Sequence, residues 1–244
     1  MSTLTAPLPE VSRVRELDLV DKVAVISGAS RGIGRAIAFN LASRGCSILG
    51  TCTSDASATS ISSALNDEIT SRVFDTTSRM RPASLRIIGL VADIFSHICA
   101  SIIADGISKF FNGRVDIFVN CASDPIPGII GEMGANEVQR SKSAGESLCR
   151  TWAHAFGGKE ERYSFMEGTT ANAVTVGLTE TDAVVNCGPQ AVRQFQDEFF
   201  PSQSIPRFGQ PDDVADVVGL LCSSDARWIT GCVVSASGGG IKIG

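Results

Sequence analysis

The sequence predicts an α/β fold built on a doubly wound parallel sheet. A chain of 244 residues with 43% apolar content is long enough for one domain with a buried sheet and too short for two ordinary domains. Short β-branched runs alternate with helical patterns along the chain, which is the order of βαβ units. Because such crossovers are right-handed, we expect helices on both faces of the sheet.

The predicted strands are short runs rich in valine and isoleucine. β-branched side chains favour extended backbone because they pack well on a pleated surface. The strands predicted in this way are residues 23–27, 46–50, 85–91, 115–120, 171–176 and 232–235.

Helical patterns follow most of these strands, with apolar residues recurring every three or four positions. The predicted helices are residues 33–44, 56–69, 94–111, a stretch beginning near Ser141, and 211–222, the last with proline in its first turn. Two polar segments are expected to be loops. Residues 70–84 are rich in Ser, Thr and Arg, and residues 157–168 contain a run of Lys and Glu.

Composition excludes several classes of protein. The formal net charge of −5 leaves no basic face for phosphate, so we expect neither a nucleic acid nor a membrane as partner. No apolar run approaches the roughly 20 residues that span a bilayer, and the N-terminus lacks the basic-then-apolar order of a secretory signal. We expect a cytoplasmic protein with an N-terminal extension, residues 1–19, and a single domain, residues 20–244.

The cysteines and histidines do not form a metal-binding pattern. The eight cysteines contain no CxxC pair, and several lie in apolar runs, where a thiol behaves as a small hydrophobic group. The two histidines, His97 and His154, stand at no ligand spacing from a cysteine or carboxylate. No metal site is expected.

A glycine-rich loop, Gly28-Ala-Ser-Arg-Gly-Ile-Gly34, joins the first predicted strand to the first helix. Glycines let the backbone turn tightly and approach a pyrophosphate at the positive end of the helix. The candidate cofactor-binding residues here are Gly28, Ser30, Arg31, Gly32, Ile33 and Gly34. A purely structural turn is the alternative.

The GxxxGxG spacing between a buried strand and an amphipathic helix resembles the short-chain dehydrogenase/reductase family. The same resemblance extends over about residues 20–240, through Asn120-Cys-Ala-Ser123, Asn172-Ala-Val-Thr-Val-Gly177-Leu-Thr-Glu-Thr181, Arg207-Phe-Gly-Gln-Pro-Asp-Asp-Val-Ala215 and Trp228-Ile-Thr-Gly231. It implies a Rossmann-type fold and oxidoreductase activity, with carbonyl and alcohol interconverted by a nicotinamide cofactor.

The residues after the second strand favour NADP(H). They read Gly50-Thr-Cys-Thr-Ser54, where an NAD-preferring relative would place an acidic residue on the ribose 2′-OH. Without that carboxylate, Arg31 and Thr53 are available to a 2′-phosphate. This combination resembles the NADPH-using members that are like 3-oxoacyl-carrier-protein reductase. A solvated loop cation is the alternative role for Arg31.

Four more residues receive cofactor-binding roles from the resemblance. Asp93 would accept a hydrogen bond from the adenine amino group, although it could equally be the N-cap of the next helix. Asn120 would support the central strand and line the adenosine pocket. Gly177 and Thr181 belong to the segment that would wrap the nicotinamide amide.

The resemblance also suggests what the substrate is. Residues 187–204 correspond to a mobile substrate lid, and they contain Phe195, Phe199 and Phe200. An apolar carbonyl or alcohol is therefore expected as substrate, although an aromatic stripe at helical spacing also fits ordinary packing. Members of the family often pair through helices that flank the segment between the counterparts of Asn120 and Lys142, so a homo-oligomer would be expected for a protein complete in that segment.

The catalytic residues are where the chain departs from the family. Relatives reduce carbonyls with a Ser, a Tyr and a Lys four residues after the Tyr. Lys142 matches that lysine, yet Val138 stands four residues before it, and the expected Ser and Tyr are not found. The single tyrosine, Tyr163, lies in the charged connection and is a poor substitute. The stretch between Asn120 and Lys142 is too short for the strand and loop that carry Ser and Tyr, so we expect a Rossmann sheet that lacks the fifth strand and the adjoining helix segment.

Three interpretations remain open. In the first, this is a short-chain NADPH-dependent ketoreductase whose missing block reflects a mis-joined gene model or a splice form. In the second, it is a non-catalytic NADP(H)-binding pseudoenzyme, a sensor or partner subunit, in which Lys142 only touches ribose or is solvated. In the third, the chain as written does not fold stably.

Overall fold

The structure, a computed structural model, describes residues 16–75, 80–122 and 135–240. Within these ranges the strands are β1 (Val23–Ser27), β2 (Ser47–Cys52), β3 (Ile87–Val91), β4 (Ile117–Asn120), β5 (Ala173–Val176) and β6 (Val233–Ala236). The helices are α1 (Gly32–Ser43), α2 (Asp55–Ser62), α3 (Ala64–Ile69), α4 (Cys99–Phe111), α5 (Ala135–His154), α6 (Asp182–Val185), α7 (Pro189–Phe199) and α8 (Pro211–Leu221).

The strands form two parallel sheets. The first has the order β3-β2-β1-β4, with Val25 of β1 opposite both Leu49 and Phe118. The second pairs β5 with β6, and Val174 stands opposite Val234. The predicted α/β class and parallel Rossmann-type order are therefore confirmed. In the described part of the chain no pairing joins β4 to β5, so the sheet divides at that point.

Helices cover both faces of the four-stranded sheet. Successive residues of a strand point to opposite faces, so alternate residues of β1 enter different cores. Ala24 and Ile26 join the larger core with α1, α3 and α8, whereas Val23 and Val25 join the smaller core under α4. This alternation makes the sheet doubly wound, as predicted.

Helix α8 packs along α1 and ties the C-terminal region to the first sheet. Asn40 donates from Nδ2 to the Asp216 carboxylate at 2.9 Å, and Arg44 donates from NH1 to the Gly219 carbonyl oxygen at 2.6 Å. Arg44 is also ion-paired with Asp18, and Leu19 is buried in the larger core. The predicted extension, residues 1–19, thus includes residues that belong to the fold; residues 1–15 lie outside the described residues.

Several predicted element boundaries are wrong because packing overrides local pattern. Residues 56–69 form two helices that meet at Ser63, and α4 begins at Cys99 rather than residue 94. The predicted loop at residues 70–84 begins as a π-helical turn, Thr70–Asp75, since Phe74 is buried in the larger core. The other predicted loop contains a 3-10 helix, Glu161–Met166.

None of the helices in the described ranges is long and apolar enough to cross a membrane. All eight cysteines are described, and none of them forms a disulfide. Burial raises the pKa of the Cys46 thiol to about 12 and that of Cys222 to about 11, so neither supplies a thiolate nucleophile at neutral pH.

Candidate cofactor-binding site

The glycine loop turns sharply at the carboxyl end of β1. Gly28 and Gly32 have φ angles of +71° and +54°, in the left-handed region that glycine tolerates best. A Cβ atom on Gly28 would lie 2.9 Å from Cα of Ala122, because the loop passes against the chain that leaves β4. Gly34 is buried against the Gly28 carbonyl group. The loop therefore needs glycine for both its conformation and its close packing.

The N-terminus of α1 has the features of an anion site. Its N-cap residue, Arg31, has extended backbone and makes no side-chain capping bond, and the first turn contains no acidic residue. The backbone N–H groups at the start of this 12-residue helix are thus left without a side-chain acceptor at the positive end of the helix dipole. Ser30 and Ile33 are half-buried beside Arg31, which is exposed.

Arg31 is the cation of this region that remains available. Arg35, one turn later in α1, is ion-paired with Glu68, which also binds Arg72. Burial alone would raise the pKa of Glu68, but the hydrogen bonds from Arg35 and Arg72 outweigh it and lower that pKa. Among the described residues Arg31 has no ion pair, so its charge is not neutralised by a neighbouring carboxylate.

Ser27 joins the ends of β1 and β4 and was missed by the sequence analysis. Its Oγ donates to Asn120 Oδ1 at 3.0 Å and accepts from the backbone N–H groups of Cys121 and Ala122 at 2.9 and 3.0 Å. Asn120 therefore supports the central strands, and its contact with adenosine stays a prediction. A serine opposite Asn120 in the parallel register was the available signal. Ser123 lies outside the described residues.

Thr53 and Asp93 follow β2 and β3, at the same edge of the sheet as the glycine loop. Thr53 is exposed, and its neighbour Ser54 caps α2 by accepting from the Ser57 N–H. Asp93 Oδ1 accepts from the Phe95 N–H at 3.0 Å, while the N-cap of α4 is Ile98. The alternative role of Asp93 as a helix N-cap is therefore wrong, and its contact with adenine remains a prediction.

The C-terminal segment reaches the glycine loop through Thr181. A Cβ atom on Gly32 would lie 3.5 Å from Cγ2 of Thr181, so the two residues face each other across the site. Gly177, at the end of β5, packs against Ser237, and a Cβ on Gly177 would lie 2.7 Å from the Ser237 Cα. The structure thus brings the glycine loop and the Asn172–Thr181 segment together.

The predicted substrate lid contains mostly surface helices. Helices α6 and α7 have no buried residue, and the lid phenylalanines are half-buried. Phe195 and Phe199 have ring centroids 6.4 Å apart, and Phe200 meets Phe208 edge-on at 5.3 Å. These contacts agree with aromatic packing and leave the lid role a prediction.

The candidate catalytic residues are not assembled among the described side chains. Lys142 belongs to α5, in a stretch where only the backbone is described, so its contact with ribose stays a prediction. Tyr163 packs edge-on against Phe156, with ring centroids 5.1 Å apart, and lies under Arg162. Tyr163 is thus engaged in local packing between the π-helical turn after α5, Ala155–Lys159, and the 3-10 helix.

Two protein families match the sequence, one in each half of the chain. The pattern of the short chain dehydrogenase family matches residues 22–144. The pattern described as enoyl-(acyl carrier protein) reductase matches residues 126–240. The two matches together span the whole region in which the structure places the site.

Curated relatives are similar over nearly their whole length. The short-chain dehydrogenase/reductase FrzI of Cladobotryum sp is 27% identical over 92% of this chain and 98% of its own. The chloroplastic NADPH-dependent aldehyde reductase 2 of Arabidopsis thaliana is 28% identical over 91% and 95%. The 3-oxoacyl-(acyl-carrier-protein) reductase FabG of Pseudomonas aeruginosa is 26% identical over 91% and 98%.

Solved structures share the fold. The L-sorbose reductase of Gluconobacter frateurii, solved with NADPH and L-sorbose, superposes with a TM-score of 0.71 over 94% of this chain and 100% of its own, at 18% identity. A Serratia marcescens short-chain dehydrogenase/reductase variant superposes with a TM-score of 0.67 over 91% and 99%, at 23% identity.

Proposed function

The chain belongs to the short-chain dehydrogenase/reductase family, and on this premise we propose that it binds NADP(H) for carbonyl–alcohol interconversion. The observation that carries the choice of cofactor is the unpaired Arg31 at the start of α1. There an exposed Arg31 has no carboxylate partner among the described residues, and no acidic residue follows directly after β2. A 2′-phosphate would find the Arg31 cation there, and the first carboxylate after β2 is Asp55, in the first turn of α2.

The residues around the loop fit such a cofactor. The cradle at Gly28 and Gly32 leaves no room for a side chain at Gly28, and its backbone can approach a pyrophosphate closely. Arg31 and Thr53 would bind the 2′-phosphate, while Asp93 and Asn120 would line the adenosine pocket.

The nicotinamide half would be held by the C-terminal segment and α5. Gly177 and Thr181 would bind the nicotinamide amide, and Lys142 would bind the ribose. The bound cofactor supplies or accepts the hydride of the reaction. The proton requires a separate donor from the protein.

Whether the protein has such a proton donor distinguishes the two candidate functions, a ketoreductase and a non-catalytic NADP(H)-binding protein. The match to FrzI extends over 262 residues, more than the 244 of this chain, so the relative contains residues that have no counterpart here. This surplus, together with the division of the sheet between β4 and β5, supports a missing Ser/Tyr block. A positioned general acid contributes about 10²–10⁴ in rate, so the chain as written would bind cofactor and turn over slowly or not at all.

The natural gene product decides between a ketoreductase and a non-catalytic NADP(H)-binding protein. Sequencing the native transcript across the codons from Asn136 to Lys142 tests this. An in-frame block ending in a tyrosine codon four before Lys142 would support the ketoreductase. An unbroken junction would favour the binding protein.

The partner we propose for the complete site is a small apolar carbonyl or alcohol. The half-buried phenylalanines of the predicted lid support an apolar substrate. The cytoplasm as location and the homo-oligomer also remain proposals.

The experiment that tests cofactor choice is the substitution Arg31→Ala. A charge-assisted hydrogen bond is worth about 1.5–3 kcal/mol, so NADPH affinity should fall about 10- to 100-fold while NADH affinity changes little. Isothermal titration with both cofactors measures the two affinities. Arg227→Ala is the matched control, because Arg227 is an exposed arginine that bonds only the Ser224 carbonyl group in the described contacts. Equal losses for NADPH and NADH on Arg31→Ala would overturn the 2′-phosphate assignment.

A further inference from the structure

The chain leaves β5, forms α6 and α7, and returns to the place where it left. Thr179 and Gly209 form a parallel bridge there. The Gly209 N–H donates to the Leu178 carbonyl oxygen at 2.9 Å, and the Glu180 N–H donates to the Gly209 carbonyl oxygen at 2.8 Å. We call this junction, residues 178–180 with 209–210, the neck. All of α6 and α7 lies between its two sides.

Thr179 is the buried residue of the neck. It is 6% exposed, although its neighbours Leu178 and Glu180 are half-buried and exposed. Its Oγ1 donates to the Gly177 carbonyl oxygen at 3.0 Å and closes the turn that follows β5. A Cβ atom on Gly209 would lie 3.4 Å from the same Oγ1, so the hydroxyl also contacts the returning chain. One buried hydroxyl therefore fixes the turn and faces the strand bridged to it.

The neck belongs to a closed ring of contacts. Two residues after Gly209, α8 begins and packs along α1 through Asn40 and Arg44. Helix α1 begins at Gly32, and Gly32 faces Thr181, which lies two residues after Thr179. The distance between Thr181 and the glycine loop is thus set by α1, α8 and the neck together.

A second, exposed contact crosses the neck. Gln210 donates from Nε2 to the Glu180 carboxylate at 2.8 Å. Because this bond is exposed to water, it contributes much less than the buried Thr179 hydroxyl.

We propose that Thr179 is a positioning residue for the cofactor: its buried hydroxyl holds the neck so that Thr181 stands opposite Gly32, where the nicotinamide amide is bound. This inference rests on the proposed function. Thr179 itself does not touch the cofactor, so its removal weakens binding of the nicotinamide half only. A merely structural role would weaken the adenosine half equally, through general loosening of the fold.

The test measures the affinity of two ligands, NADPH and adenosine 2′,5′-bisphosphate, for two variants of Thr179. Thr179→Val keeps the shape and removes the hydroxyl, and Thr179→Ser restores it. NADPH engages both halves of the site, whereas adenosine 2′,5′-bisphosphate engages only the half at Arg31. We expect Thr179→Val to weaken NADPH about fivefold to tenfold and to leave adenosine 2′,5′-bisphosphate within about twofold, from the loss of one buried hydrogen bond. Thr179→Ser should regain NADPH affinity.

Equal weakening of both ligands, or unchanged NADPH affinity on Thr179→Val, would overturn the proposal. Glu180→Met provides a second test if Thr179→Val does not fold, since Glu180 is exposed. Glu180→Met should lower NADPH affinity about twofold and leave the affinity for adenosine 2′,5′-bisphosphate unchanged. An equal loss of affinity for both ligands would contradict the proposal that the neck positions Thr181. A wild-type chain that melts cooperatively yet binds neither ligand would overturn the proposed function and this inference with it.

Discussion

The two sheets differ sharply in how deeply their strands are buried. Every residue of β1 and β2 is buried, whereas the residues of β5 and β6 are at best half-buried. β1 and β2 each have a parallel neighbour on both sides and helices over both faces. β5 and β6 have only each other in the described part of the chain. Depth of burial follows the number of neighbours and not valine content, because β1, β5 and β6 each contain two valines yet only β1 is fully buried.

This difference divides the candidate site as well. The glycine loop, Thr53 and Asp93 extend from the four-stranded sheet, so the proposed adenosine half of the site is built on its buried central strands. Gly177 and Thr181 extend from the two-stranded sheet. Their position depends on α8, the neck and the contact between Thr181 and Gly32. We therefore expect the two halves of the site to differ in stability.

The largest expected effect comes from the same substitution made in both sheets. Val25→Ala in β1 removes two methyl groups from a fully buried side chain and should lower the free energy of unfolding by about 2–4 kcal/mol. Val234→Ala in β6 removes them from a half-buried side chain and should cost about 1 kcal/mol. Chemical denaturation of both variants measures the difference. Equal costs would show that β6 is as well packed in solution as β1.

A smaller effect is expected where the two regions are joined, at Arg44. Arg44→Met removes the bond to Gly219 of α8 and the ion pair with Asp18, and it should lower the free energy of unfolding at pH 7 by about 1–3 kcal/mol. The hydrogen bond from Arg44 holds the pKa of Asp18 below its ordinary value. Because a depressed carboxyl pKa stabilises the fold above the unfolded pKa of about 3.9, this contribution is lost as the pH falls through the lower, folded value.

The pH dependence of stability separates the contribution of the Arg44–Asp18 ion pair from that of the bond between Arg44 and Gly219. Denaturation between pH 7 and pH 3 should show a shallower loss of stability for Arg44→Met than for the wild type, since the variant has already lost the Asp18 contribution. Lys22→Met, which removes an exposed cation from Asp116, is the control and should change stability by less than about 1 kcal/mol. Parallel pH profiles for Arg44→Met and wild type would show that Asp18 adds nothing.

The smallest expected effect is at Tyr163, in the less buried region. Tyr163→Phe keeps the ring that packs against Phe156 and removes only the hydroxyl. Any NADPH-dependent carbonyl reduction by this chain should be unchanged, because Tyr163 is not expected to donate the proton. Initial rates with NADPH and an apolar ketone measure this. A loss of tenfold or more, with melting unchanged, would make Tyr163 the proton donor.

Local pattern predicted the central elements best. β1 has the predicted bounds, and the glycine loop lies where a strand meets a helix, since β-branched runs and glycines act through their own backbone preferences. Helix boundaries were less predictable. The polar residues around Phe74 predicted a loop. In the structure Phe74 is buried in the larger core, and the segment around it is helical.

Contacts between distant residues could not be predicted in this way. Ser27 bonds a residue 93 positions away, and Thr179 acquires its role from Gly209. The motifs gave neither residue a role: Ser27 precedes the glycine loop, and Thr179 lies within the Asn172–Thr181 segment, in which only Gly177 and Thr181 were singled out. Each residue meets its partner because the fold brings two distant segments of the chain side by side. Their separation along the sequence does not predict such a contact.

The sequence by itself determined the α/β class, the parallel, doubly wound sheet and the residues of the glycine loop. Hydrophobic periodicity and the backbone freedom of glycine are local properties, so a short stretch of sequence is enough to recognise them. Only the tertiary structure decided that Arg35 is ion-paired with Glu68 while Arg31 has no ion pair among the described residues, and that Thr181 faces Gly32. Those outcomes depend on which helices and strands pack together, because ion pairing and burial are set by neighbours far away along the chain.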